Sequence, residues 1–156
     1  MPHICDRTRP TRQVLAEVDS IAAERSLRLT PQRRHVLRLL LESDKAMGAY
    51  DLLPGLAAEG LGDKPVAAYR ALDFLVEHGL AHRIEGMNAY VACCHPRQSH
   101  LPVFMVCRAC KMVAESHDAA VGTGLDDAAG DIGFAIERRV IEAVGLCRDC
   151  QQGSEA

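Results

Sequence analysis

Two Cys-x-x-Cys pairs, "CRAC" at 107–110 and "CRDC" at 147–150, restrict the folding of this 156-residue chain more than any other feature. Each pair holds two sulfurs at one tight turn, and four thiolates about 2.3 Å from a tetrahedral ion form a closed zinc site with no open position for chemistry. Residues 107 to 150 must therefore fold so that the two turns face each other across a small sheet. A redox role fits less well, because a second pair in the same domain would be redundant. Seven cysteines is a high and odd count; with paired Cys-x-x-Cys spacing it points to metal in a reducing compartment rather than to a disulfide scaffold.

Composition explains why a metal would matter. Aromatic residues make up only 4% and tryptophan is absent, while a segment shorter than about 80 residues rarely builds a self-sufficient core. Structural zinc contributes about 10–16 kcal/mol in small peptides, so it could decide whether an aromatic-poor second half folds. No run approaches the roughly 20 apolar residues of a membrane span, and "MPHICDRTRPTRQVL" lacks a secretory apolar segment. The sequence predicts a cytoplasmic protein with no membrane partner.

Ahead of the cysteine pairs the pattern is helical. Val14, Val18, Ile21 and Ala22 recur at helix spacing. In "LTPQRRHVLRLLLES", Thr30 can cap the open amides of a second helix whose first position is Pro31. "AYDLLPGLAAEG" predicts a third helix, bent or shortened at Pro54-Gly55. A fourth, "KPVAAYRALDFLVEHG", starts at Pro65 with Asp63 or Lys64 at the cap, buries Ala68, Leu72, Leu75 and Val76, and stops at Gly79. "LAHRIE" and "AYVAC" then read as a hairpin turned at "GMN". Small helices ending in a hairpin describe a winged helix-turn-helix, a DNA-binding arrangement.

"CHPRQSHLP" reads as a hinge. Beyond it the sequence predicts two strands around the first cysteine pair, a helix over "HDAAVGTGLDDAAGDI" weakened by Gly122 and Gly124, and a third strand within "FAIERRVIEAVGLCRDC" that leads to the second pair.

The net charge of −3 is unevenly distributed. Residues 7–38 carry eight arginines against Glu17, Asp19 and Glu24, whereas residues 87–156 carry six basic and nine acidic side chains. Attraction to phosphate acts over about a Debye length, so the local excess matters more than the total.

Donor residues remain outside the four-cysteine set. His82, Cys93, His100 and Glu115 offer two imidazoles, a thiolate and a carboxylate, whose two negative charges would balance a zinc dication. They lie on both sides of the hinge, so an ion bound by all four would fix the angle between domains. His117 and Asp118 are a weaker pair, more simply read as exposed residues at a helix start.

The order "LTPQRRHVLRLL", "AYDLL", "YRALDFLVEHGLAHRIE", "NAYVAC", "CRAC" and "IEAVGLCRDC" resembles the ferric uptake regulator superfamily, most closely its zinc uptake branch, from about Glu24 to Cys150. The resemblance implies an α+β chain: a winged helix-turn-helix DNA-binding domain over 1–92, a hinge over 93–101, and a small α/β dimerisation domain with a four-cysteine zinc site over 102–156. It implies a homodimeric repressor that binds double-stranded operator DNA when zinc is plentiful and shuts off zinc uptake genes. Two zinc ions per chain are expected, a structural one at Cys107, Cys110, Cys147 and Cys150 and a regulatory one at His82, Cys93, His100 and Glu115. Tyr69 and Arg70 carry the family's base and backbone contacts, and Arg33 and Lys64 join them as candidate DNA-binding residues.

Within the superfamily, iron or peroxide sensing is the nearest alternative; a thiolate in the second site favours zinc, because sulfur is the softer donor. A zinc-ribbon module that binds protein is an alternative from another class. A zinc hydrolase would need an open coordination position and a positioned base, and neither is evident, so no enzyme activity and no small organic substrate are expected.

Overall fold

The computed structural model describes residues 9–98, 100–116 and 119–153. Cys5, Arg7, Ser99, His117 and Asp118, which entered the sequence reading, lie outside the described residues. Two compact units part at residue 99.

The first unit is built on helices α1 (Thr11–Glu24), α2 (Pro31–Glu42), α3 (Ala49–Ala58) and α4 (Pro65–Glu77), followed by strands β1 (Ala81–Ile84) and β2 (Ala89–Ala92). The apolar stripe of α1 is buried as its spacing predicts, through Val14, Val18, Ile21 and Ala22. Thr30 caps α2, its hydroxyl accepting from the Arg33 amide at 3.3 Å, with Pro31 in the first turn. Thr30→Ala should therefore lower unfolding free energy by about 1 kcal/mol in urea titration, with Thr30→Gly costing only a few tenths.

Helix α3 departs from expectation, because Pro54 does not cut it short. Leu52 and Leu56, on either side of the proline, are fully buried, while Pro54 faces solvent. Gly55 stands where a Cβ would come 2.8 Å from Leu39 Cδ1, and its carbonyl accepts from His35 Nε2 at 3.1 Å. Close packing against α2 thus holds the helix through a dipeptide that local propensity disfavours.

Helix α4 begins at Pro65 after Lys64 and ends before Gly79, whose φ of +70° needs no Cβ. Its buried face is Ala68, Ala71, Leu72 and Leu75. Val76, expected inside, lies at the edge of that stripe and is partly exposed. The β1–β2 hairpin turns through a short 3-10 segment, and Asn88, not Gly86, takes the left-handed conformation at φ 48°. Met47 pairs with Tyr90 through backbone bonds of 2.9 and 2.8 Å, adding a third edge to the wing.

The second unit contains β3 (Val103–Cys107), β4 (Val113–Ser116), α5 (Ala119–Asp131), β5 (Ile141–Gly145) and the short α6 (Arg148–Gln152). The sheet order is β4-β3-β5, antiparallel between β3 and β4 and parallel between β3 and β5, with Cys107 opposite Gly145. Both cysteine pairs therefore leave the same end of neighbouring strands. The third strand is shorter than the run around it, since only five residues pair with β3. Among the described residues the buried apolar side chains here are few: Phe104, Val106, Cys107, Val113 and Ala129. Much of α5 is solvent-facing, with Val121 and Leu125 exposed one turn apart and Ile132 and Phe134 exposed just after the helix ends.

Candidate metal centres and nucleic-acid face

The strand order brings the four later cysteines together. Their sulfurs lie within 4.8 Å of one another, with Cys110 and Cys147 at 3.7 Å. Tetrahedral coordination at 2.3 Å requires a sulfur separation of about 3.8 Å, so the donor set fits zinc. The turn after β3 closes through the Lys111 amide donating to the Cys107 carbonyl at 3.0 Å, with Lys111 at φ 65°. The electrostatics point the same way. Backbone amides of Cys110 and Cys147 bring the Cys107 thiol down to about 6, while hydrogen bonding with the sulfurs of Cys147, Cys107 and Cys110 pushes Cys150 up to about 12. Four crowded thiols cannot all ionise side by side unless a cation compensates them.

The other donor residues form a pair within each unit. In the wing, β1 and β2 pair Ala81 with Ala92, and the Cys93 amide donates to the Leu80 carbonyl at 3.0 Å, extending the ladder. Alternation along the strands puts His82 and Cys93 diagonally on one face. A ring nitrogen of His82 and the Cys93 sulfur lie within 4.8 Å, and Cys93 is only 1% exposed. In the second unit, Glu115 on β4 is 4% exposed and shares a 2.9 Å hydrogen bond with His100 Nε2. A buried carboxylate requires such a partner or a cation.

On α4, Lys64 and Arg70 are exposed and Tyr69 is half-buried against the core. Val66, four residues before Arg70, shares its face and is 58% exposed. Sequence reading missed how much of the arginine excess is spent internally. Arg34 is held by Asp19 through bonds of 2.9 to 3.2 Å, which raise its pKa above the ordinary guanidinium range, and Arg9 donates to Glu17 at 2.5 Å, while Glu24 is taken up at 2.9 and 3.0 Å by Arg97, from outside that run. Arg33 lies with its guanidinium carbon 3.7 Å from the centre of the Phe74 ring.

A winged helix-turn-helix joined in sequence to a small sheet unit with four cysteines placed to hold a metal ion defines a class of metal-linked regulators. The chain belongs to the ferric uptake regulator family, whose model matches residues 24–144. It is 42% identical over 141 residues to the zinc uptake regulation protein of Escherichia coli K12, covering 90% of this chain and 82% of that protein. The structure of a zinc uptake regulator complexed with zinc and DNA matches at a TM-score of 0.87 and 41% identity, over 94% of this chain and 98% of the other. Holo XcZur matches at 0.81 and 38%, over 92% and 99%. The ferric uptake regulator of Helicobacter pylori, at 14% identity and a TM-score of 0.59 over 91% and 94%, shares the fold alone.

Proposed function

We propose that the chain is a zinc-responsive repressor that binds operator DNA as a homodimer when zinc is bound and represses genes for zinc uptake. The observation that carries this reading is the pairing of His82 with the buried thiol of Cys93 in the wing, in addition to a four-cysteine cluster, on a winged-helix chain 42% identical to a zinc uptake regulation protein. Zinc, when bound, supplies only charge and geometry, since it has no redox chemistry. Cys107, Cys110, Cys147 and Cys150 would hold one ion permanently. His82 and Cys93 would supply half of an exchangeable site, and His100 and Glu115 the other half. The proposed division of labour is DNA reading by residues 1–92, a hinge over 93–101 and dimerisation over 102–156. A second copy of the chain is the proposed cover for Val121 and Leu125 of α5, for Ile132 just beyond it, and for the exposed Met105 and Val144 of the sheet.

Lys64 and Arg70 would approach DNA from the open face of α4, with Tyr69 at its border, and Arg33 on α2 is the further candidate DNA-binding residue. Arg70→Ala should weaken operator binding about 5- to 150-fold while zinc content stays the same. Wild-type affinity in a gel-shift titration would remove Arg70 from the interface. No described helix is long and apolar enough to cross a membrane, and the reading places the protein in the cytoplasm with its operator. The relatives are regulators by name, and catalysis forms no part of the proposal. The direct test is gel shift against zinc uptake promoters with zinc added and then chelated; iron-dependent, zinc-indifferent binding would favour the iron alternative.

A further inference from the structure

Arg33, in the first turn of α2, holds its charge against an aromatic ring. Its guanidinium lies over the Phe74 ring, 3.7 Å from the centroid, and Nη1 donates to the Arg28 carbonyl at 2.6 Å. Its own amide donates to the Thr30 hydroxyl, so its position on α2 is fixed by the helix cap. Phe74 belongs to α4, is half-buried against the core, and also meets His78 edge-on, with ring centroids 4.5 Å apart. The two residues thus join the start of α2 to the later turns of the helix proposed to read DNA. A guanidinium carries a planar, weakly hydrated charge that stacks on an aromatic face, which the point charge of lysine does poorly.

We infer that Arg33 is a positioning residue for DNA recognition: its stack on Phe74 sets the orientation of α4 against α2, and its effect on operator binding passes through the ring rather than through a phosphate. This rests on the DNA-binding reading above. A guanidinium stacked on a ring by its face and bonded through Nη1 has reduced freedom to seek a phosphate, whereas small tilts of α4 would move Arg70 and Lys64 relative to base edges.

The test uses the full-length zinc-loaded protein and the variants Arg33→Lys, Phe74→Leu, the double variant and Phe74→Tyr, with operator affinity measured across a salt series. Arg33→Lys keeps the charge and should still lose about three- to tenfold in affinity. Phe74→Leu should lose a similar factor, the double variant should be no worse than the weaker single one, and Phe74→Tyr should bind like wild type. The salt slope should stay unchanged throughout, whereas loss of a phosphate contact would lower it by about one ion. Arg33→Lys binding at wild-type affinity, or Phe74→Leu without effect, would overturn the inference. A second measurement needs no DNA: ring-current shifts of the Arg33 δ-protons in the free wild-type protein should vanish in Phe74→Leu and persist in Phe74→Tyr. Absence of those shifts in wild type removes the stack itself, while their presence alongside no operator binding by any form would reject the DNA reading and leave the packing intact.

Discussion

Cys110→Ser should bind one zinc fewer per chain and lose the dimer, sedimenting as monomer or aggregate, with its thermal transition broadened or absent. The size of the effect follows from how little else supports the second unit. Its buried apolar side chains among the described residues are Phe104, Val106, Cys107, Val113 and Ala129, and α5 contributes only the last. Structural zinc in small domains contributes about 10–16 kcal/mol, comparable with the entire 5–15 kcal/mol of a typical fold. The serine keeps nearly the same volume, so packing loss cannot account for the outcome. An intact dimer with full zinc content would show that the cluster is not the staple.

His82→Ala should do the reverse. The variant is expected to remain a folded dimer that retains the zinc of the cysteine cluster, yet fails to bind operator on addition of zinc. His82 sits half-buried on the wing, flanked by well-packed Ala81 and opposite Val91, so truncating it leaves the ladder and the helical core intact. Removing one donor from the proposed exchangeable site should cost most of its affinity for a labile ion, and a repressor without its effector is expected to lose DNA affinity by more than tenfold. Zinc-responsive binding that survives the substitution would take His82 out of the sensor. Equilibrium dialysis distinguishes the two cases: wild type should hold two ions per chain with one lost to mild chelation, and His82→Ala should hold only the tight one.

The local features most legible in the sequence were those governed by local chemistry. Thr30 and Pro31 announce the start of α2, Gly79 the end of α4, and the spacing of Val14, Val18, Ile21 and Ala22 the inner face of α1. The cysteine cluster was legible because ligand spacing is itself a geometric statement. Features set by tertiary contact were not. Pro54-Gly55 looks like a break until Leu39 is seen against it, because the compensating contact comes from another helix. The arginine excess looks like a phosphate surface until Asp19 and Glu17 are seen holding Arg34 and Arg9. The stack of Arg33 on Phe74 joins residues 41 positions apart with no periodic signature. Val76 was misplaced for a smaller reason, since it lies just outside the apolar arc centred on Ala68, Leu72 and Leu75.

Because β5 lies parallel to β3, the second cysteine pair reaches the first only after the chain has travelled the length of the sheet and back, a span of 37 positions between Cys110 and Cys147. Such a crossover cannot form by simple zippering of neighbours, and the entropy of closing it must be met before any sulfur shares an ion. Early in refolding, the β3–β4 hairpin will hold only two of the four thiols, with the edge of β3 that β5 later covers still open, a state prone to capture the wrong metal or another chain. Metal supplied late in a refolding protocol should therefore give lower yields of native protein than metal present from the first second.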